Sequence, residues 1–194
     1  MKVFCMAFAL FAIGLLVSSA AETTSEKIKE WKSPDGSSEA VTKNFRHASD
    51  ADYTDWDVVT IRDAHYKFLA SLSLEEGSGI TRAVVTEALW SPDSRFFVFQ
   101  TASSGGHSAW HVPTYVYDAK TSLIYSIDDT VGAITSDNTP LHFTHGDVLH
   151  LELWDFKWEK DSDPSSFPRD IPLLDFVKSA KKAQHSERES LHQP

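Results

Sequence analysis

The amino-acid sequence predicts an all-β fold of antiparallel sheets with a short C-terminal helix. Phe96-Phe-Val-Phe99 is an aromatic and β-branched run of the kind that forms strands. Further segments with alternating or continuous apolar residues recur along the chain, and turn-forming residues separate them. A helix is expected at residues 170–178, where Asp170 as the N-terminal cap and Pro172 near the first turn precede apolar residues at helical spacing.

The N-terminus has the pattern of a secretory signal peptide. Met1-Lys2 is a short basic start, residues 3–17 are apolar, and small residues follow, with cleavage expected after Ala20 or Ala21. The apolar run is too short for a comfortable membrane span. We therefore expect residues 1–21 to be removed, which leaves a secreted or periplasmic protein without a membrane span.

Composition narrows the classes of function. The one cysteine, Cys5, lies in the signal segment, so the mature chain is predicted to contain no disulfide and no thiol chemistry. The formal net charge is −10. An acidic surface repels phosphates, so nucleic acids and anionic membranes are not expected as partners.

The region before the first clear strand is polar. Residues 22–57 are predicted to be a partly disordered segment, with Glu22 to Glu30 as a frayed helix or tail. A β-rich domain is expected over 58–178, followed by a frayed tail at 179–194.

The first predicted hairpin joins Val58–Arg62 to Tyr66–Leu74 around Asp63-Ala-His65. Its second arm alternates, which predicts that Phe68, Ala70, Leu72 and Leu74 share one face. Residues 80–89 favour a further strand that leads to Trp90.

The central stretch is Trp90-Ser-Pro-Asp-Ser-Arg-Phe-Phe-Val-Phe-Gln100. Its Ser-Pro-Asp-Ser part is typical of a tight turn, because proline presets φ and the polar side chains bond nearby backbone. The four apolar residues that follow place large groups on both faces of a strand. Such a strand needs cover on both sides, so we predict that it is central.

Trp90-Ser-Pro-Asp93 and the aromatic strand after it resemble the blade signature of β-propellers, especially the WD40 and periplasmic Tol-type families. Thr114–Asp118 and Leu123–Ile127 fit the hairpin that ends such a blade. The resemblance covers about residues 90–128 and implies a strand and turn rhythm, not an activity. Trp31-Lys-Ser-Pro-Asp-Gly36 repeats the turn and suggests an internal repeat, although a polar linker explains it as well.

The last third of the chain is predicted to form a hairpin and a helix. Leu141–Thr144 and Val148–Trp154 flank His145-Gly-Asp147, with the leucines at 149, 151 and 153 on one face. Residues 155–169 are charged and contain proline, so we expect a loop there. Because a closed propeller needs about four blades or more, the chain should form a partial propeller or an open sandwich.

The loop between the central strand and Thr114 is the first candidate site. Its candidate ligand-binding residues are Ser104, His107, Trp110 and His111. Imidazole and indole groups on a loop could bind an organic ligand or a soft metal. A surface loop in which Trp110 covers the core is the simpler interpretation.

The second candidate site is a set of metal ligands formed by His145, His150 and Glu152. With a tight turn at Gly146, these three would share the face opposite the leucines, together with Phe143. A solvated strand face explains them equally well, and a shift in register by one residue would remove His145. No cofactor is predicted.

The sequence contains no G-x-S-x-G nucleophile motif and no calcium-loop pattern. We therefore expect an exported β-rich interaction or ligand-binding module, with an unknown protein or small molecule as partner. One alternative is a small secreted hydrolase or metal-dependent enzyme that uses His107 and His111. Another is a propeller-like fragment that acts only in assembly, through self-association or with a larger partner.

Overall fold

The computed structural model describes residues 24–46, 55–74, 83–103, 111–135, 140–155 and 165–180. These residues form three antiparallel sheets and two short helices, an all-β open sandwich of the predicted class. The predicted signal peptide and most of the predicted C-terminal tail lie outside the described residues.

Sheet I contains β1 (Thr24–Lys32), β2 (Ser38–Arg46), β3 (Asp55–Asp63) and β4 (Phe68–Ser73), paired in chain order. The predicted hairpin of β3 and β4 is confirmed. The β-rich region starts at Thr24, however, not at residue 58.

The frayed helix or tail predicted for Glu22 to Glu30 is wrong, because Thr24 to Glu30 belong to β1. Its polar composition is explained by the outward face of sheet I, where charged side chains pair across strands. Arg62 on β3 contacts Glu39 on β2 at 2.7 Å and Glu30 on β1 at 3.7 Å. Burial of an apolar face on the other side then suffices to hold the strands.

A bulge changes one predicted face of β4. Ile61 pairs with Ala70, but the next residue of β3, Arg62, pairs with Phe68. The extra residue, Leu69, packs against the core, whereas Phe68 is 62% exposed. The strict alternation predicted from Phe68 to Leu74 is therefore wrong at its first position.

Sheet II contains β5 (Ala83–Trp90), β6 (Phe96–Ser103), β7 (Thr114–Asp118) and β8 (Leu123–Ser126), again in chain order. A single helical turn, α1 (Asp128–Val131), follows β8. The strands predicted at residues 96–99, 114–118 and 123–127 are confirmed, and so is the described part, from Ala83, of the strand predicted at 80–89.

Sheet III contains β9 (His142–His145), β10 (Val148–Asp155) and β11 (Ser165–Pro172), with β10 in the middle. Helix α2 follows at residues 173–180 and confirms the predicted C-terminal helix with a later start. Residues 165–169 were predicted to be loop but belong to β11. Pro168 is tolerated there because β11 is an edge strand, which can spare a backbone donor.

Sheet II is the middle layer, as the apolar β6 predicts. Phe97 and Phe99 face sheet I and belong to a core with residues such as Val59. Phe96 and Val98 face sheet III and belong to a second core, which contains Leu149, Leu151, Leu153, Ile171, Leu173, Phe176 and Val177. All four residues of the β6 run are fully buried.

The Ser-Pro-Asp turns of sheets I and II make the same hydrogen bonds. The Ser33 hydroxyl donates to Asp35 at 2.7 Å and accepts the N–H of Ser38 at 3.0 Å. The Ser91 hydroxyl donates to Asp93 at 2.5 Å and accepts the first N–H of β6 at 2.9 Å. The repeat suggested by the sequence is therefore structural, and the polar-linker interpretation is wrong.

The two turns also touch. The Asp35 N–H donates to the Ser94 hydroxyl at 3.0 Å, and the Trp90 indole N–H donates to the Trp31 carbonyl at 2.8 Å. Hydrogen bonds to Ser37 and Ser33 lower the pKa of Asp35 from 3.8 to about 2. The carboxylate therefore stays ionised and holds its turn at any ordinary pH.

One backbone hydrogen bond occurs at the equivalent position in all three sheets. The residue before the second strand of each sheet accepts a backbone N–H from just after the third strand. These pairs are Ala64 to Ser37 at 3.0 Å, Ala119 to Arg95 at 2.9 Å and Leu173 to Asp147 at 3.1 Å. In each case the preceding residue has positive φ: Gly36 at 71°, Ser94 at 64° and Gly146 at 54°.

This equivalence shows what is special about sheet III. In sheets I and II the chain continues from this point into a fourth strand, β4 or β8. In sheet III the chain instead enters α2, which packs Phe176 and Val177 onto the core between sheets II and III. Helix α2 therefore takes the sequence position of a fourth strand.

Candidate functional site

A polar pocket lies between sheets I and II, at the end of the sheets where β1, β3 and β5 begin. We call this end the starting rim. The Ser-Pro-Asp turns lie at the opposite end. The pocket has a volume of about 290 Å³ and is lined by Lys27, Lys29, Thr42, Asn44, Asp55, Asp57, Val84 and Val85.

The register of sheet I explains why these side chains converge. Lys29 pairs with Thr42, and Asn44 pairs with Asp57, so all four lie on the face that turns toward sheet II. The same face carries Val59 and Ile61 deeper in the core. The pocket is thus the polar end of the interface between the two sheets.

Asp57 is a buried residue of the pocket that is held by hydrogen bonds from both sheets. It is 5% exposed, and its two carboxylate oxygens accept from different elements. The Asn44 amide donates to Oδ1 at 2.9 Å, and the Val85 N–H of β5 donates to Oδ2 at 2.7 Å. Asp57 therefore joins sheet I to sheet II.

Lys29 reaches the same place from β1. Its ammonium donates to the Val85 carbonyl at 3.3 Å. The Lys29 ammonium and the Asp57 carboxylate thus bind the carbonyl and the N–H of one residue, Val85. Within the described part of the chain, Lys29 and Asp57 nevertheless form no ion pair with each other.

The first predicted site begins on the same rim. Val84 and Val85 pair with Ala102 and Thr101, so the end of β6 lies beside the pocket. Of the predicted ligand-binding residues, Ser104, His107 and Trp110 lie outside the described residues.

His111 closes this loop and is well anchored. Its Nε2 lies 3.2 Å from Asp128 Oδ1, and Asp128 Oδ2 accepts the Thr114 N–H at 2.6 Å. The Pro113 carbonyl accepts the Thr101 N–H at 2.9 Å, which ties the two ends of the loop together. The residues that flank positions 104–110 are therefore held together by hydrogen bonds.

The second predicted site has a different geometry from the one expected. His150 and Glu152 do lie on the face opposite the leucines, but a bulge between Val148 and Leu149 pairs His150 with His142. Phe143 was expected beside the histidines. It instead pairs with Leu149 and packs against the core, so that prediction is wrong.

His150 is engaged by neighbours other than His145 and Glu152. Its Nδ1 lies 2.7 Å from Asp170 Oδ1, and its ring centroid lies 4.9 Å from that of His142. Among the described residues, no group of three His, Cys, Asp or Glu side chains is arranged to hold a metal ion.

Sequence reasoning missed the pocket between sheets I and II. Its residues come from four strands between Lys27 and Val85, and they meet only through strand register and sheet stacking. No local motif marks them. The one available signal was polar residues on strands that are otherwise buried, such as Asp57 in β3.

Comparison with protein-family models and with curated proteins finds no match for this chain. Neither helix in the described ranges has the length and apolar character needed to cross a membrane. The site therefore has to be interpreted from its own geometry.

Proposed function

We propose that the chain is an exported, non-catalytic ligand-binding module whose binding site is the pocket between sheets I and II. The observation that carries this proposal is the buried carboxylate of Asp57, which is held by both sheets at the base of a polar pocket. Binding sites are typically concave and largely preformed, with a few fixed polar groups.

The three sheets are interpreted as propeller-type blades, in agreement with the resemblance of residues 90–128. The repeated turn, the equivalent bonds to Ser37, Arg95 and Asp147, and the stacking of β1 on β5 and β4 on β8 support this interpretation. Three blades are fewer than a closed ring needs. We therefore propose a partial propeller in which α2 takes the place of the fourth strand of the third blade.

The proposed location is the periplasm or the exterior of the cell. It rests on the signal-peptide pattern of residues 1–21 with its expected cleavage after Ala20 or Ala21. The acidic composition, with a formal net charge of −10, favours a soluble ligand over a nucleic acid or an anionic membrane.

A thermal-unfolding screen of the mature chain tests the proposed function. Amino acids, sugars, organic acids and nucleosides are added singly at millimolar concentration. At least one class is expected to raise Tm in a concentration-dependent way, because a ligand that binds only the folded state stabilises it.

Two variants locate the effect. Asn44→Phe places a larger side chain in the pocket and should abolish the rise in Tm. Val58→Phe places the same ring on the outward face of sheet I and should retain it. A screen without any stabilising compound, or a rise that persists in Asn44→Phe, would contradict the proposal.

A second candidate function is the hydrolase or metal-dependent enzyme, since the contact between His111 and Asp128 resembles the orienting pair of a general base. Zinc and copper titration of the metal-free protein separates the two functions. Tight binding that is lost in His107→Ala/His111→Ala would favour the enzyme. If calorimetry detects no heat of binding, the metal-dependent enzyme is contradicted.

A further inference from the structure

We infer that the pocket between sheets I and II takes a small zwitterion of the α-amino-acid class. This inference rests on the proposed function and names its ligand. The amino group would contact Asp57, and the carboxylate would contact Lys29 and Lys27. The inference follows from three properties of the pocket: a buried carboxylate whose hydrogen-bond donors are neutral, the spacing of opposite charges, and size.

The first property is the charge of Asp57. A carboxylate that is 5% exposed is costly to bury unless a cation or several donors compensate it. The donors seen here, the Asn44 amide and the Val85 N–H, are both neutral. Two carboxylate oxygens offer about four lone-pair positions, so capacity remains for a cationic donor. A ligand ammonium group would supply it.

The second property is the spacing of opposite charges. Lys29 is bound to the carbonyl of Val85, and Asp57 is bound to the N–H of the same residue. The two charged groups are therefore held near each other, on the two backbone groups of one residue, without a direct ion pair between them. An α-amino acid carries its ammonium and carboxylate on one carbon atom and matches such a short separation. A long diamine or dicarboxylate does not.

The third property is size and lining. A volume of about 290 Å³ lies at the lower end of the range for small-molecule sites. Lys27 and Asp55 add one further charge of each sign to the lining, and Val85, whose side chain faces sheet I, offers an apolar surface for a carbon chain. The pocket therefore suits a single amino acid better than a nucleotide or an oligosaccharide.

Calorimetric titration of the mature protein with each of the twenty standard L-amino acids tests the inference. One or more should bind, and the two halves of a zwitterion should bind at least about tenfold more weakly, since each loses a charge-assisted contact. For L-alanine these halves are ethylamine and propionate. Propionate that binds as well as L-alanine would overturn the role of Asp57 and the inference with it.

Variants assign the contacts. Lys29→Met removes an exposed charge and should weaken binding at least about tenfold without unfolding the protein. Lys43→Met is the matched control, because Lys43 lies on the next strand but on the outward face of sheet I. Asp57→Asn should weaken binding similarly, and circular dichroism checks its folding. Unchanged affinity in Lys29→Met would contradict the inference.

The outcome also separates this inference from the proposed function. If no amino acid binds but another compound does, and Asn44→Phe abolishes that binding, the pocket is a site for a different class of ligand. The inference then fails and the proposed function stands. If nothing binds in the pocket, both fail.

Discussion

Tyr117 shows that one buried side chain in the core is poorly satisfied. The residue is fully buried on β7, and among the described residues no group accepts or donates a hydrogen bond to its hydroxyl. Burial raises the pKa of the hydroxyl above 10.0, and the neighbouring Asp118 charge adds to this. The nearby Ser122 side chain opposes both, although its geometry falls short of a hydrogen bond. The hydroxyl group is thus a local cost inside a well-packed aromatic cluster.

Tyr117→Phe should therefore leave the free energy of unfolding unchanged or raise it by up to about 1 kcal/mol, because it deletes an unsatisfied polar group and retains the ring. Urea unfolding measures this. Tyr125→Phe is the matched control on β8, and it removes a hydroxyl that lies 3.5 Å from Thr121. The control should be neutral or slightly destabilising. A loss above about 1 kcal/mol in Tyr117→Phe would show that its hydroxyl has a partner.

Single residues also explain why the candidate site was not predictable. The sequence Phe96–Phe99 identifies a central strand, because consecutive apolar residues show that both faces of the strand are apolar. Asp57 carries no such pattern. Its role depends on Val85 of another sheet, and no rule of local spacing connects the two.

At the scale of elements, strands with a local sequence pattern were predictable, and strands that depend on contacts with other strands were not. β10 was predicted because its leucines alternate and its turn is short. β1 and β2 were missed because their outward faces are charged, and the contacts between Arg62, Glu39 and Glu30 become visible only after the strands are paired. β11 was missed because prolines usually indicate loops, an indication that fails at a sheet edge.

Helix α2 depends on a residue far away in the sequence. The Asp147 carboxylate accepts the Leu174 N–H at 3.0 Å, and the Asp147 carbonyl accepts the Leu173 N–H at 3.1 Å. The first turn of the helix is therefore capped from the β9–β10 turn, not by Asp170 as the sequence suggested. This cap directs the chain into a helix where sheets I and II have a fourth strand.

Asp147→Ala should lower the free energy of unfolding by about 0.5–2 kcal/mol, the usual cost of losing a side-chain cap. Asp147→Asn keeps an acceptor and should recover most of the loss. Asp175→Ala is the control within the same helix, since its contact with Lys178 is exposed and worth little. Denaturant unfolding followed by circular dichroism measures all three. Equal effects of Asp147→Ala and Asp175→Ala would contradict the capping role.

At the scale of the whole molecule, β6 joins two cores. Phe97 and Phe99 belong to the core with sheet I, whereas Phe96 and Val98 belong to the core with sheet III. A change on either face of β6 disturbs a strand that both cores share. The three sheets should therefore unfold as one cooperative unit rather than as separate blades.

Phe96→Ala and Phe97→Ala test this coupling, because each opens a cavity in a different core. Each should lower the free energy of unfolding by about 3–5 kcal/mol, the usual cost for a buried phenylalanine. Both should shift the same single transition when tryptophan fluorescence and circular dichroism follow urea unfolding. Leu123→Ala, at a position 48% exposed on β8, should change stability by no more than about 0.5 kcal/mol.

Two separable transitions in either phenylalanine variant would show that the sheets fold independently. The pocket between sheets I and II could then lose its shape while sheet III stays intact, whereas a single transition ties the binding site to the stability of the whole chain.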